Sequence, residues 1–136
     1  PLALAGWRLA KRTSSGALAS CELVPAAGEA WVAPGGAALV TGGAWDGRYD
    51  LPAGLPRFAC GASALAGGLA DDRPPEVRLV DPDGAVQATF GEGGVAPRCP
   101  AAVERVVPAG PDEAANLACA VGEGTPGRCN SVTACP

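Results

Sequence analysis

Glycine and proline punctuate this chain so often that only short uninterrupted runs remain. With 20 Gly and 14 Pro in 136 residues, a turn signal recurs roughly every 8–12 positions, the rhythm of an all-β sandwich or barrel. The clearest run spans 76–89, EVRLVDPDGAVQAT. Val77, Leu79 and Val86 are apolar or β-favouring, while Glu76, Arg78 and Gln87 are polar neighbours. Between the halves, Pro82 pre-sets φ at the first corner of a turn, Asp83 can bond its own backbone, and Gly84 tolerates positive φ. This stretch predicts a β-hairpin.

Other strands follow from the same signals. Residues 6–11, GWRLAK, place Trp7 and Leu9 on one face and Arg8 on the other, with Trp7 as a core anchor. Residues 17–24 form a second strand carrying Cys21, and 25–29 form a loop. Residues 30–41 read as a short strand, a Pro34-Gly35-Gly36 corner and a buried strand at 37–40. That corner is not a phosphate loop, since no helix, Lys-Ser/Thr pair or GxGxxG spacing follows it. Residues 42–57 form a polar excursion loop kinked by Pro52 and Pro56. Its Trp45 and Tyr49 are expected to tuck against the edge of the fold; exposed, they are the candidate ligand contacts of the chain. Phe58 leads into a short strand, 63–70 is a small-residue loop or single helical turn, and Asp71 to Pro75 stops any helix. Phe90 closes the hairpin's second strand, and a loop over 91–100 carries Cys99. Residues 102–107 predict another strand, with Val103 and Arg105 opposite Glu104 and Val106. One helical turn starts near Asp112, and the rest is a tail bearing Cys119, Cys129 and Cys135.

Such a chain has little to bury. Val, Leu and Phe number only 26 and there is no Ile or Met, so cross-links matter more than usual. Six cysteines without a Cys-x-x-Cys pair or any His point to disulfides rather than a metal shell. The fifteen possible pairings are not separable by sequence. The expectation is Cys21 with Cys60, Cys119 with Cys129 or Cys99, and Cys135 with whichever remains. Oxidised cysteines imply an extracellular, periplasmic or cell-surface location. No apolar run approaches a membrane span, and a pI near 4.7 argues against non-specific nucleic-acid binding. Arg8, Lys11 and Arg12 read as a solvated strand face. The opening Pro1-Leu2-Ala3-Leu4 reads as the middle of something longer.

Catalytic chemistry has few carriers here. Without histidine, neither Ser-His nor Cys-His activation can be built. The acid pairs Asp71-Asp72 and Asp46/Asp50 read as solvated loop residues rather than glycosidase-like carboxylates. Asp81-x-Asp83 starts like a calcium loop and Glu92 falls at the twelfth position, but Ala85 and Val86 occupy ligand and glycine places. No catalytic residue, metal site or cofactor is expected.

Taken in order, GWRL at 6–9, VAPGG at 32–36, LPAG at 51–54, VRLVDPDGAV at 77–86, ERV at 104–106 and TPGRCN at 125–130 resemble the lamin tail domain in its bacterial secreted form. The LPAG segment follows VAPGG here, whereas the family has its apolar-Pro run first, and the family's opening acidic strand motif is absent. The resemblance implies an immunoglobulin-like β-sandwich over 1–130, loop-rich and lacking its first strand or strands, followed by a cysteine-bearing tail at 131–136. It implies a non-catalytic interaction or structural module, extracellular or at the cell surface, whose partner is an unidentified protein or surface polymer. The alternative expectation is a cysteine-stapled carbohydrate- or ligand-binding domain using the Trp45/Tyr49 loop.

Overall fold

A computed structural model describes residues 1–13, 15–47, 49–68 and 76–133. The expected helix stop at Asp71–Pro75, the acid pair Asp71-Asp72, and Cys135 lie outside these residues. Among the described residues, eleven short strands make up nearly all the regular structure: β1 (Leu2–Ala3), β2 (Arg8–Arg12), β3 (Leu18–Glu22), β4 (Val24–Ala27), β5 (Trp31–Val32), β6 (Leu39–Thr41), β7 (Arg57–Ala59), β8 (Val77–Val80), β9 (Val86–Phe90), β10 (Val103–Arg105) and β11 (Leu117–Cys119). Single 3-10 turns occur at Leu65–Gly67, Glu92–Gly94 and Ala114–Asn116. The fold is all-β.

The main sheet runs β3-β2-β8-β9, antiparallel throughout. Its register sets Leu9 opposite both Cys21 and Leu79, which puts three apolar side chains on one face. Trp7 and Leu9 pack on the core from that face, as their spacing predicts. Arg8, Ala10 and Arg12 alternate to the other face, where Arg8 donates to the Ser20 hydroxyl at 3.0 Å and Arg12 pairs with Glu76 at 2.8 Å. Lys11 departs from the expected basic strand face. Its parity is that of Leu9, and its ammonium donates to the carbonyl of Gly68.

The hairpin at 76–89 forms around the chemistry of its turn. Gly84 donates to the Asp81 carbonyl at 3.0 Å and takes a φ of 89°, which a residue with a Cβ would adopt only under strain. The bonding carboxylate is that of Asp81, not Asp83. It accepts from the amides of Asp83 and Ala85 at 3.0 and 2.8 Å and from the Gln87 amide group at 2.6 Å. Asp81 sits first in the turn, where an Asx side chain reaches two residues ahead.

The second sheet runs β4-β7-β6. The chain enters it directly from the main sheet through Leu23, which is buried between β3 and β4 and donates to the Trp7 carbonyl at 2.7 Å. Residues 25–27, expected as loop, are therefore strand. Pro25 is tolerated because β4 is an edge, fully exposed, with an irregularity in its pairing beside the proline. β4 pairs antiparallel with β7, but β6 pairs with β7 in parallel. Leu4, Leu23, Phe58 and Cys60 form the core, and Leu9 and Leu79 from the main sheet pack against it together with Val40 from the second. Phe58 is 0 % exposed, a burial that stabilises by roughly 2–3 kcal/mol. The Cys21–Cys60 disulfide ties the main sheet to the end of β7, beside this cluster.

Two ribbons complete the description, β1-β5 and β10-β11. β11 was not expected, since Leu117-Ala118-Cys119 is too short to show alternation; it is fixed by pairing with β10 and by the Cys99–Cys119 disulfide. Cys129 is disulfide-bonded as well. Arg105 and Asp112 fasten this ribbon to the main sheet. Asp112 accepts from the amides of Gly91 and Glu92 at 2.7 and 3.0 Å, and Arg105 lies over the Phe90 ring, 5.9 Å from its centroid.

Candidate functional site

A parallel strand pair cannot be closed by a tight turn, because the chain must return to the end it started from. Residues 42–56 make that return between β6 and β7, which is why this chain has a long loop at this place. The loop starts by pressing its backbone onto residues 61–65. A Cβ at Gly42 would lie 2.2 Å from the Ser63 carbonyl, and one at Gly43 would lie 2.5 Å from that of Ala62. Only glycine allows this approach, and backbone bonds then fix it: Gly43 donates to Gly61 at 2.9 Å and Ala44 to Ser63 at 3.1 Å.

The two segments diverge beyond Ala44 into an open cleft of about 370 Å³, with Trp45, Asp46 and Tyr49 on one side and Ser63, Ala64 and Leu65 on the other. Trp45 and Tyr49 are both half-buried, so the structure brings the two candidate contact residues to one cavity while leaving each partly accessible. The Arg57 guanidinium lies 5.1 Å from the centroid of the Trp45 ring and also donates to the Thr41 hydroxyl at 3.1 Å. The indole is thereby held from β7 on one face. At the far end of the loop, Gly127 packs against Leu55 and Pro52, and Arg128 pairs with Asp50 at 3.6 Å.

Three carboxylates outside the cleft have pKa values held below the ordinary range. At Glu104, only 7 % exposed, burial pushes the value up, but four hydrogen bonds more than offset it. The Thr125 amide and hydroxyl donate to Oε1 at 3.0 and 2.6 Å, and the Ser131 amide and hydroxyl to Oε2 at 2.7 and 2.6 Å. Asp112 follows the same logic, with burial opposed by Glu92, Thr89, Gly91 and the charge of Arg105. Asp81 is lowered first by the Ala85 amide and then by Gln87. The calcium-like spacing does not converge in space on a shared cage: Asp81 is engaged by its own turn, and Glu92 pairs with Arg78. Among the described residues no group of three or more His, Cys, Asp and Glu is placed to hold a metal ion. Nor is any helix among them long and apolar enough to cross a membrane.

Sequence reasoning found the aromatic half of the cleft and missed the other half. Ser63 and Leu65 carry no local signal, because their role comes from the close approach of Gly42 and Gly43. It placed Glu104 on one face of the 102–107 strand without foreseeing its burial, although a buried carboxylate there needs partners. The chain matches no protein-family model, no curated protein and no solved structure.

Proposed function

We propose that the chain is a non-catalytic interaction module of an extracellular or cell-surface protein, folded as an immunoglobulin-like β-sandwich of the lamin-tail kind. The observation that carries the reading is the use of its most heavily hydrogen-bonded carboxylates. Glu104, Asp112 and Asp81 are each saturated with amide, hydroxyl or side-chain donors, and each is driven toward the charged form. General acids in enzymes need the opposite tuning, a carboxyl whose pKa is raised toward the working pH. These three residues join strands and turns to one another.

The segments that carry the family resemblance support the same reading by where they fall. GWRL leads into β2, VRLVDPDGAV covers β8 and the turn up to the first residue of β9, and ERV includes both Glu104 and Arg105. The Cys21–Cys60 and Cys99–Cys119 disulfides support an oxidising compartment. Purified protein should show no turnover of glycan or phosphoester substrates, and mass spectrometry without reduction should find no free thiol. Hydrolysis abolished by Asp46→Asn or Asp50→Asn would overturn the non-catalytic reading; six free thiols would remove the location.

A further inference from the structure

We propose that β3 is the seam of a two-fold dimer, in which the strand pairs antiparallel with β3 of a second copy of this chain. The inference rests on the interaction-module reading and gives it a partner. β3 is an edge of the main sheet, and among the described residues no strand lies beyond it. At the two ends of its ladder with β2, Leu23 donates to the Trp7 carbonyl at 2.7 Å and Thr13 to that of Ala17 at 2.8 Å. Bonded pairs alternate along an antiparallel ladder, so residues 19 and 21 turn their amides and carbonyls toward β2. Those of Leu18, Ser20 and Glu22 face outward, and all three residues are exposed.

The other edges of the two larger sheets are guarded, and this one is not. β4 carries Pro25 and an irregular pairing, β6 has three residues, and β9 is covered at Thr89 by Asp112 and Arg105. β3 runs five residues in unbroken register, with no proline or glycine. Its pattern is self-complementary. With Ser20 opposite Ser20, Leu18 meets Glu22 of the second copy, and every outward amide and carbonyl of the strand is paired. A slip of two residues leaves Leu18 or Glu22 outside the ladder. The side chains agree with the same register. Each outer row across the seam reads Arg8, Glu22, then Leu18 and Arg12 of the second copy, so no like charges adjoin. Leu18, 50 % exposed in the single chain, is there covered by the stem of Glu22. Because β9 is blocked, the sheet cannot add at its other edge, and assembly closes at two.

The test is sedimentation velocity on the purified chain over a concentration series. The chain should reach twice its 13.3 kDa mass by about 100 µM, the range open to a small interface. Ser20→Pro removes an outward amide that β2 does not use, and Leu18→Glu sets like charges opposite each other. Each should weaken the dimer about tenfold or more, with the fold intact by circular dichroism. Val86→Glu, at an exposed apolar position on β9, should leave the dimer within about twofold. Ser20→Cys should give a disulfide dimer joined at position 20, identified by peptide mapping. Leu18→Cys should not, since the two copies of that residue lie at opposite ends of the seam. A monomer throughout, assemblies beyond two, no cross-link at position 20, or a dimer that survives both Ser20→Pro and Leu18→Glu overturns the seam. Those outcomes leave the interaction-module reading standing. Turnover of a glycan or phosphoester sinks that reading instead and leaves the dimer in place.

Discussion

Asp112 accepts a hydrogen bond from the Thr89 hydroxyl at 2.7 Å, joining two residues 23 positions apart, and Arg105 donates to the Thr89 carbonyl from the neighbouring ribbon. Thr89 belongs to β9, an edge of the main sheet, so the contact covers the end of a strand that could otherwise pair with another chain. Asp112→Ala should cost about 2–3 kcal/mol in denaturant unfolding, because three donors lose a charged acceptor. The variant should also self-associate at concentrations where the parent sediments as a single species. Glu113→Ala, an exposed neighbour, should change stability by less than about 0.5 kcal/mol.

Glu104→Gln tests the buried acid. A glutamine keeps the volume but has one acceptor oxygen, and its amide must face donors from Thr125 or Ser131. Losing two charge-assisted bonds and opposing a donor to a donor should destabilise the fold by about 2–4 kcal/mol. Calorimetry or chemical denaturation reads this directly, with the exposed Glu123→Gln as the control.

Stability should depend on pH in one direction only. Glu104, Asp112 and Asp81 have folded pKa values below their ordinary values of 4.5, 3.8 and 3.8. Below about pH 4.5 the unfolded chain therefore binds more protons than the folded one, and stability falls with pH through that window. Above about pH 5 the contribution is complete. The sequence has no histidine, so no side chain with an ordinary pKa near 6.5 bends the curve between about pH 5.5 and 7.5. Glu104→Gln should lie below the parent at neutral pH, and the two curves should converge on acidification. Parallel curves would contradict the assignment.

The two described disulfides should differ in both worth and accessibility. Cys21–Cys60 spans 39 residues and Cys99–Cys119 spans 20, so loop-closure entropy gives about 4 and about 3 kcal/mol respectively. Cys60 is fully buried in the core, whereas Cys119 is exposed on β11. Under mild reductant, timed alkylation and peptide mapping should find Cys119 labelled well before Cys60. A variant with Ala at both 21 and 60 should lose more than the entropic figure, because it also opens the cluster around Phe58.

What could be read in advance follows from how local each cause is. The β8–β9 hairpin was legible because its turn is written in consecutive residues, although Asp81 rather than Asp83 supplies the bonding carboxylate. The alternation of Trp7 and Leu9 against Arg8 was equally local. β4 was hidden by Pro25, whose tolerance depends on lying at a sheet edge that no residue near it announces. β11 was hidden because three residues have no period. The burial of Glu104 depends on a segment more than twenty residues away, and the second wall of the cleft on two glycines brought against residues about twenty positions further on. At these places the cause lies in another part of the chain.

The parallel pairing of β6 and β7 has a consequence for how such a fold can diversify. Any chain with that pair must carry a long segment between Thr41 and Arg57, whatever its composition. The ends of the segment are set by the strands, by the glycine contact at its start and by the bridge at Cys60, none of which involves residues 46–54. Apart from Asp50 and Pro52, which meet Arg128 and Gly127, its middle can be exchanged or lengthened at a cost that grows only slowly with length. Topology here reserves a cassette: the scaffold dictates that a crossover exists and leaves its chemistry open to change.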